Sequence, residues 1–135
     1  MALILKRPVV VRQVVTETFK QRTLQEIDES LRQIGESLER LEFQARRLVA
    51  EVERERPAQA AQLRERLQEE RRRQEAVRRE LLAKREEVLR LELDSLYTVG
   101  TYDTPVQLEV GDRFSEKMRR AEVLVRDDVV VAIRE

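Results

Sequence analysis

The sequence predicts an α+β protein: a long antiparallel coiled-coil helical hairpin inserted between an N-terminal strand and a small C-terminal β module, with about five strands in all. Three observations carry this. Apolar residues step by three and four from Leu24 to Val52, the same stepping resumes from Ala60 to Leu91 beyond Pro57, and β-branched runs are confined to the two ends of the chain. The expected division is residues 1–16 and 95–135 for the β module and 17–94 for the hairpin, with its turn near 54–59.

Residues 3 to 15, Leu-Ile-Leu-Lys-Arg-Pro-Val-Val-Val-Arg-Gln-Val-Val, favour one or two strands, interrupted or edged at Pro8. Such a short β segment needs partners, and the only others lie at the far end of the chain. A helix is expected to begin near Thr16 or Thr18, either of which can cap it, with Glu17 suited to its positive end.

The first seam is Leu24, Ile27, Leu31, Ile34, Leu38, Leu41, Ala45, Leu48 and Val52, the periodicity of a helix packed on a helix. The second runs Ala60, Leu63, Leu67, Glu70, Gln74, Val77, Leu81, Lys84, Val88, Leu91, and three of these ten residues are polar. Val52 with Ala60, Ala45 with Leu67, Leu31 with Leu81 and Leu24 with Val88 add to the same total, 112, as facing residues of an antiparallel hairpin must. That symmetry folds the chain at Arg56. Pro57 biases Arg56 out of helical geometry and can itself open the second helix. Each arm is then roughly 55 Å long at about 1.5 Å per residue. The alternative is one uninterrupted helix, kinked at Pro57, that pairs with a second chain.

Glu70 and Gln74 fall opposite Leu41 and Leu38 in this register. An unpaired carboxylate in an apolar seam costs several kcal/mol, so Glu70 is expected at a wet edge, beside an arginine, or in a polar layer that sets register. Helix two also carries a second stripe, Leu82, Leu89, Leu93 and Leu96, and the mirror rule puts Phe19 opposite Leu93. This stripe reads as a surface that packs against the β module or against a second copy.

After Asp94 the composition changes. Tyr97 to Tyr102 reads as a strand around Gly100, Asp103-Thr104-Pro105 as a turn, and Val106, Leu108 and Val110 as an alternating strand before Gly111-Asp112. Residues 115–121 suggest one or two helical turns with Phe114, Met118 and Ala121 on one face. Val123 and Val125, a turn at Asp127-Asp128, then Val129, Val131 and Ile133 make a closing hairpin.

Charge and composition narrow the function. Of 135 residues 40% are charged, yet 27 basic residues balance 27 acidic ones, so no global field favours nucleic acid or membrane. The chain has no cysteine and no histidine, which removes thiolate sites, disulfides and the usual proton shuttle and metal ligand. The serines, Ser30, Ser37, Ser95 and Ser115, have no activating base, and the acids are spread along helix faces. The reading is a non-enzymatic protein without cofactor or metal. The N-terminus lacks the charge order and apolar length of a secretory signal, and no run approaches the roughly 20 residues of a membrane span, so a cytoplasmic protein with no membrane partner is expected.

Pro8-Val-Val-Val-Arg-Gln-Val-Val-Thr-Glu at the opening of the first helix, Leu41-Glu-Phe-Gln-Ala-Arg-Arg within it, and the closing run from Val110-Gly-Asp-Arg-Phe-Ser-Glu-Lys-Met to Val129-Val-Val-Ala-Ile-Arg resemble the bacterial YlqD family. The resemblance covers most of the chain and is most specific at the C-terminal end. It implies an uncharacterised protein of the kind found in cyanobacteria and firmicutes, without established activity or functional residues. In some members the gene lies near genes for ribosome assembly and RNA modification. Many members have glycine in the last turn, where this chain has Asp127-Asp128.

Two function classes follow. Apolar seams exceeding what one hairpin buries suggest an interaction or scaffold protein with an unknown protein partner, and a homodimer. Arg71, Arg72, Arg73, Arg78 and Arg79 suggest a contact with RNA or a ribosomal particle, since arginine suits phosphate and 23 of the 27 basic residues are arginine. Against the second, residues 53–94 hold 12 basic and 11 acidic side chains, and Glu69, Glu70, Glu75 and Glu80 flank the cluster. No aromatic residue interleaves with the arginines, so the helix has no stacking platform.

Overall fold

The computed structural model describes residues Met1–Glu135. The elements are β1 (Ala2–Val14), α1 (Glu17–Glu55), α2 (Pro57–Arg90), β2 (Leu96–Glu109), α3 (Phe114–Lys117), β3 (Ala121–Arg126) and β4 (Val129–Arg134). This is the expected α+β arrangement, a helical pair between an N-terminal strand and a C-terminal strand set. Two compact units result, one of residues 1–20 with 91–135 and one of residues 21–90.

The first unit is a four-stranded sheet in the order β2-β1-β3-β4. β1 lies in the middle, antiparallel to β2 from Ala2↔Glu109 to Val14↔Leu96 and parallel to β3 from Val9↔Ala121 to Gln13↔Val125. The ends of the chain are therefore zipped directly together. Its core is small, made by Val10, Val14, Val15, Ala121 and Leu124.

There are four strands where the sequence suggested about five, because neither proline breaks its strand. Asp103-Thr104-Pro105, expected as a turn, lies inside β2. Pro8 faces Asp103 and Pro105 faces Lys6, two residues apart on the β1–β2 ladder. Pairs two apart belong to the same set, so both prolines can occupy positions whose N–H would point away from the partner. That outward side is open for both, since β2 is an edge strand and β3 pairs with β1 only from Val9 onward. The expected helical turns at 115–121 shrink to α3, and Ala121 is instead a buried residue opening β3.

Thr16 caps α1: its Oγ1 accepts from Phe19 N at 3.0 Å. The same hydroxyl donates to Asp127 Oδ1 at 2.6 Å, tying the cap to the closing turn. Asp127 and Asp128 have φ of 46° and 68°, so both centre residues of that turn are left-handed, as a type I′ hairpin requires. Aspartate takes up the conformation that glycine adopts more easily. α2 ends at Arg90, short of the expected 94. Val15 N donates to Ser95 O at 2.9 Å and Asp94 N to Val15 O at 2.8 Å, with Asp94 at φ 67°. These bonds draw the chain out of its helical path beside the fully buried Val15.

In the second unit α1 stops at Glu55 and α2 starts at Pro57, with Arg56 between them, where proline and mirror symmetry coincide. The helices run antiparallel. Arg85 Nε donates to Asp28 Oδ1 at 2.8 Å near one end, and Arg64 pairs with Glu53 near the other. Ile27, Ala60 and Val88 are its buried residues, and most other seam positions are half-buried.

Candidate interaction surface of the helical pair

The two helices contribute unequally to the surface between them. α1 supplies Leu38, Leu41, Ala45 and Val49 to an open groove of about 430 Å³, against which α2 sets only one apolar side chain, Leu67. The rest of the α2 wall is Arg64, Gln68 and Arg71. Two large apolar residues of α1, outside the groove lining, stand in the open. Phe43, 70% exposed, shares a heptad position with the groove residue Ala50, and Leu48, 44% exposed, shares one with Leu41. Leu48 was expected inside the seam. Towards the turn Val49 is half-buried instead, because 3.6 residues per turn do not keep pace with a strict 3.5 repeat.

Glu70 and Gln74 sit half-buried on α2. Gln74 Nε2 donates to Glu70 Oε1 at 3.2 Å, and Arg73 Nε lies 3.7 Å from Glu70 Oε2. The carboxylate therefore has an arginine beside it, while Gln74 Oε1 is buried without a partner. This is a polar layer with one acceptor left unsatisfied.

The arginines of the predicted cluster do not act as one group. Arg71 Nε donates to Glu75 at 3.1 Å and Arg73 pairs with Glu70, whereas Arg72, Arg78 and Arg79 are exposed and outside the ion pairs. What the sequence reading missed is a different arginine row: Arg64, Arg71, Arg78 and Arg85 recur every seven residues along one edge of α2. Its two ends form the cross-helix pairs with Glu53 and Asp28, and the hydrogen bond that Arg85 donates to Asp28 holds the Arg85 guanidinium above its ordinary pKa. The seven-residue spacing was the available signal.

The stripe Leu82, Leu89, Leu93 and Leu96 is not one helical face. Leu82 and Leu89 are on α2, Leu93 lies in the turn that follows it, and Leu96 opens β2; each stays at least 43% exposed. Phe19 packs against Tyr97 in a tilted arrangement, ring centroids 5.8 Å apart. Lys20 Nζ donates to Leu91 O at 2.8 Å beside it.

No group of three or more acidic side chains is placed to hold a metal ion, and no helix is long and apolar enough to cross a membrane. The family model described as YlqD protein matches residues 3–134. No curated protein matches the chain. A crystal structure of a protein of unknown function from Synechococcus sp. WH 8102 is similar over 100% of this chain and 96% of that one, with 30% identity and a TM-score of 0.85. With nearly its whole length matched and the same fold in that relative, the chain belongs to the YlqD family.

Proposed function

We propose that this protein is a non-enzymatic, cytoplasmic interaction or scaffold protein that self-associates and engages a partner helix through the coiled-coil pair α1 and α2. One observation carries the reading. α1 offers a run of apolar side chains that α2 meets with Leu67 alone beside Arg64, Gln68 and Arg71, so the groove remains for a third helix, and Phe43 and Leu48 are exposed on the same helix. A helix with an apolar face suits that groove, whose arginines Arg46, Arg64 and Arg71 are paired with Glu42, Glu53 and Glu75. The test is sedimentation of tagged protein in native lysate at low and raised salt, beside a Phe43→Ser/Leu48→Ser variant. Both residues are exposed, so the fold should survive. A fast-migrating assembly that persists in salt and is lost in the variant supports the reading; migration unchanged by the variant overturns it.

A second reading rests on Arg72, Arg78 and Arg79, exposed cations outside the ion pairs. It is a contact with RNA or a ribosomal particle. Here the assembly should dissolve on salt addition, and replacing these three arginines by glutamine should remove it at low salt.

A further inference from the structure

Strand register assigns the side chains of the sheet to two faces, since residues paired across a ladder point the same way and neighbours along a strand point opposite ways. On one face Val9 lies beside Tyr102, Val11 beside Val123, Val123 beside Ile133 and Val125 beside Val130. The β3–β4 ladder skips Val131, which turns both Val130 and Ile133 to this face. On the other face Arg12 pairs with Glu122 at 3.4 Å, and Glu122 lies beside Arg134. Burial runs against this division of charge. The charged face holds Val10, Val14 and Leu124, each between 3% and 6% exposed, whereas the apolar face leaves Tyr102, Val130 and Ile133 between 55% and 69% exposed. Val9, Val11, Val123 and Val125 are only half-buried, although β1 and β3 are the central strands. An apolar sheet face calls for a second layer.

We propose that this layer is the same face of a second copy of this chain, the two sheets stacked about a two-fold axis with about 10 Å between them. Pairing at the edges is closed off: β2 carries Pro105 and skips Val99, and β4 skips Val131. Stacking is the route left. Charge favours a second copy as the occupant, because a two-fold axis sets identical surfaces together and any net charge on the face would meet itself. Arg7 is the single charged strand residue on this face, and Glu135 pairs with it at 3.0 Å. Four strands about 4.8 Å apart and six residues long give a patch of roughly 19 by 20 Å, about 380 Å² on each copy before side chains standing above the plane are counted. That suits a weak, concentration-dependent dimer, at the lower end of specific interfaces.

The inference rests on the self-association in the functional reading and assigns it to the sheet, apart from the helical groove. Sedimentation equilibrium of the purified chain should move from one chain mass towards two as concentration rises. Tyr102→Lys and Ile133→Lys each add a charge at an exposed position, so the fold, followed by circular dichroism, should be kept. Each should weaken the dimer by more than about tenfold, like charges being pressed into a dry layer. Mixing Tyr102→Lys with Tyr102→Glu should recover part of the association, since the mixed pair is neutral. Phe43→Ser/Leu48→Ser should leave the purified dimer intact. A dimer that withstands both lysine variants and is lost in Phe43→Ser/Leu48→Ser overturns the stacking and leaves self-association standing. A monomer at every concentration overturns both; if the lysine variants then shed a different protein from the lysate assembly, that protein is the occupant of the face.

Discussion

α1 and α2 are similar in length, 39 and 34 residues, yet they use their faces in opposite ways. α1 keeps an unbroken apolar seam and puts its charges outside it. α2 interrupts its seam with Glu70, Gln74 and Lys84 and runs a row of arginines along one edge. A helix pair needs only enough apolar contact to hold together; when one partner supplies more than the other can cover, the surplus stays on the surface. The helical pair is thus asymmetric in a way that a stability requirement alone does not demand.

The sharpest break of this comparison sets a buried seam residue against an exposed one on α1. Ile27 is 5% exposed, and Ile27→Ala should destabilise the helical unit by about 2–5 kcal/mol, the cost of removed apolar contact plus a residual cavity. Leu48→Ala should change it by less than about 0.5 kcal/mol. Denaturant melts followed by circular dichroism measure both. Equal effects would mean that Leu48 is buried in solution and that α1 has no surplus.

The second prediction repairs α2. Replacing Glu70 and Gln74 by leucine removes a half-buried carboxylate and an acceptor, Gln74 Oε1, that has no partner. Leaving such a group unsatisfied costs about 1–3 kcal/mol, so the double variant should be more stable by a similar free energy and melt at a higher temperature. A fall in melting temperature would show that the polar layer makes contacts worth keeping and that α2 is not the deficient partner.

The helical pair was the more legible half of the molecule. Its period, its proline and its mirror symmetry place the turn at Arg56 without reference to anything distant in the chain. The sheet was less legible because strand pairing joins residues a hundred positions apart. Asp103-Thr104-Pro105 carries every local mark of a turn, and only the open outer side of the β1–β2 ribbon lets it continue as strand. The end of α2 failed for the same reason, since Val15, far away in sequence, takes the hydrogen bonds that release Asp94 and Ser95 from the helix. Of the candidate surface, the apolar excess was visible in the seams. The division of the arginines into paired and unpaired was not, because it depends on which acid lies one turn away and which lies across the pair.

A smaller effect should come from Gly35, in the interior of α1, where a Cβ would meet nothing within 4 Å. Gly35→Ala should stabilise the helix by about 1 kcal/mol through lower backbone entropy in the unfolded chain. By the antiparallel register of Asp28 with Arg85, Gly35 falls opposite Arg78. Gly35→Glu should then add a third cross-helix ion pair and exceed the gain of Gly35→Ala at low salt only. Thermal melts of the two variants at low and raised salt separate backbone entropy, which is insensitive to salt, from the new pair, which is screened.

The smallest effect expected belongs to the outer face of α1. Arg32 Nη1 donates to Glu36 at 2.6 Å, and the same guanidinium binds Glu29 through Nε at 3.1 Å. The hydrogen bond from Arg32 is the main reason that the Glu29 carboxyl lies below its ordinary value of 4.5, with the charge of Arg32 and a bond from Gln33 adding to it and desolvation opposing it. A carboxyl whose folded pKa is depressed stabilises the fold fully above its unfolded value and loses that contribution as pH falls through the folded one. Wild type and Glu29→Gln should therefore differ in melting temperature at pH 7 and converge as the pH drops below 4.5, the ordinary value. Because the pair is fully exposed, added salt should shrink the difference at neutral pH as well. A gap that persists in acid would assign the effect of Glu29 to helix propensity and not to its charge.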